Sequence, residues 1–371
     1  MGTLKVDTVT NVAGSGAPNA TAVTVDNVAL SSIPQMEYVA SASAPTSPSV
    51  GSLWYSTTSD AFYMWDGTQW NTITFTPPPP AFFGSRGIFT PGQQSAFPTV
   101  FANVLDYVTI ASSGNATDFG DLTSSGTGTS AVSNGTRGCI TLGQDTSFGF
   151  RNGIDYITIS TPGNGTDFGD LTSVRGFTIG VHGTTRGLFG GGYESGYSQS
   201  NIIDYITIAN AGNATDFGDL TVSRYRPAAQ QDSTRGLFAG GGGQNVIDYV
   251  TIDTAANATD FGDLISGTSG LPSGGDITHA VFAFNYGSPS SNLCFVTIQT
   301  AANAASFGNL NASNNLGAGN CGDNTYGLFA LGNAPNESNI ISRLTISTQG
   351  SATDFGDLTA ARKDLGGLAG G

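Results

Sequence analysis

Charge is scarce in this sequence. Asp, Glu, Lys and Arg make up 11% of its 371 residues, against about 25% in an average domain. Only 12 residues are Lys or Arg and they form no basic patch, so recognition of DNA or RNA is not expected. Histidine occurs twice, at His182 and His279, and no Cys/His or Ser/His/Asp constellation, metalloprotease motif, phosphate loop or dinucleotide fingerprint is present. Catalysis therefore has no support, and neither a cofactor nor a metal is expected. The three cysteines, Cys139, Cys294 and Cys321, match no metal spacing and read as small buried fillers in a reducing compartment. No apolar run approaches membrane-spanning length, and the opening Met-Gly-Thr-Leu-Lys-Val-Asp lacks a signal peptide's apolar stretch. The expectation is a soluble chain made in the cytosol, with no membrane insertion.

Glycine is what the chain has in excess, 53 residues or roughly twice the usual share. With Thr and Ser and short apolar runs, it favours tight β-structure, and no long segment carries helical periodicity. One unit of 44 to 49 residues fills the chain six times from about Ser85 onward, its last leucine recurring at Leu122, Leu171, Leu220, Leu264, Leu310 and Leu358. The clearest copy reads Ser-Thr-Arg-Gly-Leu-Phe-Ala-Gly-Gly from Ser233, Ile-Asp-Tyr-Val-Thr-Ile from Ile247 and Asn-Ala-Thr-Asp-Phe-Gly-Asp-Leu from Asn257. A period of this size marks units that cannot bury their apolar faces alone. The repeat also supplies much of the formal charge of -15: five Asp-Phe-Gly-Asp copies and four Asp-Tyr copies hold 14 of 27 acidic residues. Turn-capping and paired aspartates account for that charge better than an acidic binding surface.

Each unit carries up to four strand signals, which in one copy fall at 228–231, 235–240, 246–252 and 259–264. Four-stranded units in six copies predict an all-β fold, a six-bladed β-propeller over 85–371. The distance from the unit's leucine to the next Thr-Arg-Gly position is 15 residues in four cases and 16 in the fifth. The first copy begins at its second strand and the chain stops after Leu358 where a next unit's first strand would lie. Residues 363–371 are therefore expected to complete the blade begun by 85–122, which removes a free sheet edge.

Copies one to four carry Arg and Asp together, as Arg86/Asp106, Arg137/Asp155, Arg186/Asp204 and Arg235/Asp248, whereas copies five and six have His279/Cys294 and Tyr326/Ser342. Loss in concert predicts that each Arg bridges its Asp within a blade, since a buried charge stranded alone costs several kcal/mol. The Asn-x-Thr-Asp-Phe-Gly-Asp segment lacks the dense carboxylates of a calcium loop and reads as Asx-type turn capping.

Length variation points to a binding face. From the Asp slot to the unit's leucine is 16 residues in all six copies, whereas the Arg slot to the Asp slot runs 20, 18, 18, 13, 15 and 16. The connection between second and third strands thus varies on a constant scaffold, which is where binding usually resides. It would share one face with the links from one copy to the next, pointing away from the N-terminal region. Its candidates for receptor contact are Phe148, Phe150, Arg151, Tyr193, Glu194, Tyr197 and Tyr286.

Residues 1–35 are small and polar with two short alternating stretches, too thin to build a core, and read as an attachment or oligomerisation segment. Residues 36–75 form an aromatic β-module of three expected strands with an Asp66-Gly67 turn, and 76–84 is a linker whose prolines 77–80 give a semi-rigid spacer of roughly 12 Å.

The Arg that follows the fourth strand (Arg175, Arg224, Arg362) and the Gly pairs 191–192 and 240–241 resemble kelch-type propellers, with Phe119, Phe168, Phe217, Phe261, Phe307 and Phe355 in place of the kelch Trp. That resemblance implies the fold only. Thr-Leu-Lys-Val-Asp-Thr-Val from Thr3, the Gly-Ser-Leu-Trp-Tyr run from Gly51 and Trp-Asp-Gly-Thr-Gln-Trp from Trp65 resemble the N-terminal parts of tailed-phage fibre proteins. The repeat itself is similar to structural proteins of phages infecting cyanobacteria. These resemblances imply a virion component, a tail fibre that is homotrimeric through its N-terminal stalk and displays a distal adhesion domain. Its partners would be other virion proteins and a host-surface glycan or protein. The alternatives are an adaptor or decoration protein and, less in keeping with aspartates that belong to the repeat, a carbohydrate-cleaving propeller.

Overall fold

The computed structural model describes residues 38–371 apart from 60, 74–83, 97–98, 268, 271, 285–289, 315–318 and 333–336. Of the first 37 residues it describes three strands. Among the described residues the regular elements are β-strands and one short 3-10 turn, Ser195–Tyr197. The chain divides into two compact units, Met1–Pro79 and Pro80–Gly371.

The first unit holds two sheets. Lys5–Asn11, Pro18–Val25 and Val28–Ala29 form one of three antiparallel strands. Tyr38–Ser41, Leu53–Ser56, Ala61–Trp65 and Trp70–Thr72 form the other, in that order. Its last three strands lie where the aromatic runs place them. The first, which runs parallel to its neighbour, has no alternation to announce it. Trp54 stacks on Tyr63 at 4.8 Å and meets Trp70 edge-on at 5.6 Å, giving this small sheet an aromatic face. At the turn, Asp66 accepts hydrogen bonds from the Thr68 hydroxyl and amide, the Gln69 amide and the Asn71 side chain. The Thr68 side chain leads these in holding the Asp66 carboxyl far below the usual carboxylate range. The prolines 77–80 lie outside the described residues.

Among its described residues the second unit holds six four-stranded antiparallel sheets and two short two-stranded ones, Gln93–Ala96 with Thr99–Phe101 and Arg175–Gly176 with Tyr193–Glu194. Within the fourth, Ala228–Gln231, Arg235–Ala239, Val246–Thr251 and Thr259–Asp263 follow in chain order from inner to outer edge. The third strand reads Val-Ile-Asp-Tyr-Val-Thr and buries residues on both faces, because each sheet is covered on both sides by its neighbours. Sheets two, three, five and six repeat this order.

Sheet one is assembled from the two ends of the unit. Its inner strand is Gly367–Gly370, paired antiparallel with Arg86–Phe89, and Val104–Thr109 and Thr117–Asp121 complete it. Gln93 and Lys363 exchange backbone hydrogen bonds of 2.8 and 2.9 Å beside this junction. The inner strands adjoin one another in series: Gly367–Gly370, Ala131–Ser133, Ile179–His182, Ala228–Gln231, Ser273–Gly275, Gly319–Gly322 and again Gly367–Gly370.

The cores follow the same circuit. Six apolar clusters lie between consecutive sheets, and the sixth joins sheet six to sheet one through Leu328, Ile341 and Phe355 against Phe89, Val108 and Ile110. An open row of six sheets would have five such interfaces. No helix among the described residues is long and apolar enough to cross a membrane.

Removing residues 363–371 takes away the inner strand of sheet one and the buried side chains of Leu365, Leu368 and Ala369. We expect the shortened chain to lose about 3–6 kcal/mol for the two leucines alone. It should also aggregate through the freed edge of Arg86–Phe89. Urea unfolding and light scattering, compared with the full chain, measure both.

Candidate functional site

The repeat's signature residues join sheet to sheet. The aspartate at the third position of the third strand is buried in copies one to four, as Asp106, Asp155, Asp204 and Asp248. Each accepts two kinds of hydrogen bond from the threonine that directly follows the leucine of the preceding copy. Thr172 gives its amide (3.0 Å) and hydroxyl (2.6 Å) to Asp204, and Thr221 does the same for Asp248 at 2.9 and 2.6 Å. Thr123 serves Asp155, and Thr359, near the chain's end, serves Asp106 near its start at 3.0 and 2.6 Å.

An arginine three residues beyond that threonine completes the clamp. Arg175 meets Asp204 at 2.7 Å, Arg224 meets Asp248, and Arg362 meets Asp106 at 2.9 Å, all fully buried. Burial pulls these guanidinium pKa values down and the carboxylates pull them back up. In copy two the corresponding position is Gly126, and Arg151 reaches the space beside it from its own loop. It donates to Ser124 Oγ at 2.6 Å and to the Ser125 and Leu142 carbonyls at 2.7 and 2.8 Å. Arg151 is thus turned inward.

The expected bridges Arg86/Asp106, Arg137/Asp155, Arg186/Asp204 and Arg235/Asp248 are therefore replaced by a different pairing. Arg137 lies opposite Thr158, three residues along the strand from Asp155, so its diagonal neighbour is Tyr156. The guanidinium groups of Arg86, Arg137, Arg186 and Arg235 lie 4.4–4.7 Å from the ring centroids of Tyr107, Tyr156, Tyr205 and Tyr249. Three also donate to carbonyls of the following sheet: Arg86 to Ile159, Arg137 to Ala209 and Arg235 to Ile298. The loss in concert has two sources, because copy five pairs His279 with Phe295 and copy six inverts the pair as Tyr326 and Arg343. Where the aspartate is missing, Ser342 meets Asn311 instead.

The Asn-x-Thr-Asp-Phe-Gly-Asp segment also faces its neighbour. Asn164 Oδ1 accepts the Asp121 amide of the preceding copy at 3.0 Å, and Asn213, Asn257, Asn303 and Asn115 repeat this, Asn115 accepting from Asp357. The asparagine thus caps its neighbour rather than its own turn, while the expected Asx-type contact is made in copy one by the aspartate, Asp118 accepting the Gly120 amide at 2.9 Å. The glycine between is required by close approach: a Cβ on Gly169, at φ +145, would stand 2.5 Å from the Gly212 carbonyl oxygen.

With the frame assigned, the variable connections carry what remains. Phe148, Phe150, Tyr193 and Tyr197 come together with Phe177 and Tyr225 from the links between copies. Phe150 lies 5.2 Å from Tyr197 and 6.3 Å from Phe177, and Tyr193 stacks on Tyr225 at 4.0 Å. Phe101, from the first connection, meets Phe148 edge-on at 6.2 Å. Gln144 Nε2 donates both to the Phe148 carbonyl (3.1 Å) and to Tyr197 Oη (3.0 Å), joining the second and third connections into one surface. Tyr286 lies outside the described residues. Sequence reasoning missed Phe101, Phe177, Tyr225 and Arg226. Three of these, Phe177, Tyr225 and Arg226, stand on the links between copies, whose near-constant length gives no signal of a binding role.

Backbone strain is concentrated here. Among the described residues five non-glycine positions have positive φ: Phe148, Phe177, Tyr197, Arg226 and Asp364. Such a conformation costs an L-residue about 1–2 kcal/mol. Phe177, Arg226 and Asp364 have an evident return. With Gly128 and Gly270 they stand six residues past the leucine of five copies and form a chain of amide bonds, Gly270 to Arg226 to Phe177 to Gly128 to Asp364, of 2.8–3.0 Å. Arg226 also pairs with Asp364 at 2.9 Å and lies 4.3 Å over Phe177. Phe148 and Tyr197 have no comparable burial, being 53% exposed each.

The carboxylates of this face are engaged. Asp145 accepts the Ser147 and Gly149 amides, Glu194 accepts the Ser200 hydroxyl at 2.9 Å, and Asp364 holds Arg226. Residues of all six inner strands line a cavity of 50 Å³, room for a few waters at about 10–15 Å³ each. Beside it His182 is buried with the Gln231 amide nitrogen 3.2 Å from its Nε2, and burial depresses its pKa to about 3. The cysteines are buried and unbridged, and burial pushes Cys139 and Cys294 up to about 12. Among the described residues no group of His, Cys, Asp and Glu could hold a metal.

Residues 13–87 match the family described as "Phage tail like trimerisation region". No curated protein matches the chain. The match supports a homotrimer assembled through the N-terminal region, and it suggests a tail-associated structural protein and a virion component.

Two outcomes follow from this geometry. Arg224→Met strands the Asp248 carboxylate and should cost about 3–5 kcal/mol in urea unfolding, and adding Asp248→Ser should restore most of the loss. His182 is neutral when folded but has an ordinary pKa of 6.5. Its contribution to stability is therefore complete above about pH 6.5 and falls as pH drops from there toward 3. His182→Gln should flatten that part of the stability–pH curve.

Proposed function

We propose that the chain is a non-catalytic tail fibre in which a trimeric N-terminal region carries a closed six-bladed β-propeller that adheres to the host surface. Closure is supported by the pairing of Gly367–Gly370 with Arg86–Phe89 and by the six inter-sheet cores. The Thr359 and Arg362 contacts to Asp106 support it further, repeating between copies six and one the clamp that joins consecutive copies. A kelch-like ancestry and a cyanophage source rest on the sequence resemblances alone.

The observation that carries the adhesive role is the pair Phe148 and Tyr197. They are large, half exposed and held in a costly backbone conformation, on connections whose length varies from copy to copy. Strain combined with this much exposure concentrates at binding sites. We assign Phe148, Phe150, Tyr193 and Tyr197 to receptor contact, with Phe177 and Tyr225 as their support. Arg151 and Glu194, whose charged groups are held within the body, have positioning roles.

The full chain should sediment as a trimer. It should bind host cells, and shortening the connections at 143–151 and 191–200 should remove binding without changing the sedimentation coefficient appreciably. A folded trimer that ignores host cells but captures other virion subunits would establish the adaptor role instead.

A further inference from the structure

Resting on that adhesive reading, we infer that the face around Phe148 and Tyr197 takes an uncharged polysaccharide, its sugar rings lying against the two exposed aromatic faces. The composition of the exposed surface selects this ligand class. In the second connection the exposed residues are Thr146, Ser147, Phe148 and Gly149, and in the third they are 195–199, Ser-Gly-Tyr-Ser-Gln. None is charged. What the two loops present is two aromatic faces among hydroxyl and amide groups, which suits a ligand with both apolar C–H faces and neutral hydroxyls.

The nearby charges are turned to other uses. Arg226 is shared between Asp364 and the Phe177 ring, Arg151 donates into the body, and Asp145 and Glu194 accept bonds within their own loops. An anionic ligand would find no free cation here and would approach a chain of formal charge -15.

The two loops form one platform. Gln144 holds the Phe148 carbonyl and the Tyr197 hydroxyl together, and Phe150 and Tyr193 pack behind Tyr197 at 5.2 and 5.5 Å. Phe148 and Tyr197, both at positive φ, are each 53% exposed. Glycine or asparagine would adopt that conformation with less strain, so the exposed part of each ring offsets no backbone cost by burial.

The test uses the full-length trimer and host cells, untreated, oxidised with periodate to destroy sugar diols, or stripped with protease. Periodate should lower binding by about tenfold or more, a change of about 1.4 kcal/mol. Protease treatment and 0.5 M salt should leave binding unchanged. Loss on protease treatment with periodate having no effect would overturn the saccharide inference while keeping adhesion. Loss in salt would overturn the uncharged ligand, and no binding to untreated cells would overturn adhesion itself. Phe148→Asn should lower binding to untreated cells by about tenfold with the melting temperature unchanged or higher, and Phe148→Tyr should retain binding. A lower melting temperature, or full binding by Phe148→Asn, would show that the ring serves the fold.

Discussion

A carboxylate with no water beside it must be answered by donors, and the second unit is organised around four of these. Asp106, Asp155, Asp204 and Asp248 lie at the same step of their third strands, and each is satisfied from the end of the preceding copy. An unanswered buried carboxylate costs several kcal/mol, so the interaction fixes which sheet follows which and how closely. The specificity is directional: copy six answers copy one in the same terms. Copies five and six, where Cys294 and Ser342 stand in the slot, drop the charge and its arginine together and rely on apolar packing and a Ser342–Asn311 contact. The clamps are unequal. Arg175 and Arg224 also donate to carbonyls, of Ile202 and Val246, whereas the closing Arg362 has only its carboxylate among the described residues.

Much of the frame was legible in the sequence because its causes are periodic. A leucine every 44 to 49 residues, four strand signals per unit and a last unit short by one strand lead to six sheets and to the joining of 363–371 with the first. The partner of each aspartate was not legible. Covariation between copies ties Arg137 to its sheet, yet Asp155 and Tyr156 vary together and stand side by side, so counting cannot separate them. The distinction comes from pairing register, which puts Arg137 diagonal to Tyr156. Arg175, Arg224 and Arg362 were visible as a motif, but their target lies in another copy, 24 to 29 residues on for the first two (175 to 204, 224 to 248) and at the opposite end of the chain for the third.

The candidate binding face divides in the same way. Length variation pointed to the connection between second and third strands in every copy, and Phe148, Phe150, Tyr193 and Tyr197 from two of these connections do meet. Their support from Phe177, Tyr225 and Arg226 depends on three-dimensional closeness between links and connections. Arg151 illustrates the limit of reading a loop by residue type. By residue type and place it is a candidate for receptor contact, and it instead fills the place left by Gly126. A rigid frame with both sheet faces buried lets such loops carry strained, exposed aromatics, because the loops contribute little to the cores.

Hydrogen exchange measured amide by amide tests most directly whether sheet six clamps sheet one as the other copies clamp each other. The account predicts protection at 87–89 and 368–370 that matches the equivalent strands of the continuous sheets within about tenfold, since all are buried between two cores. Exchange there faster by several orders of magnitude, with the other sheets still protected, would mean that the first and last strands are apart in solution and would contradict it.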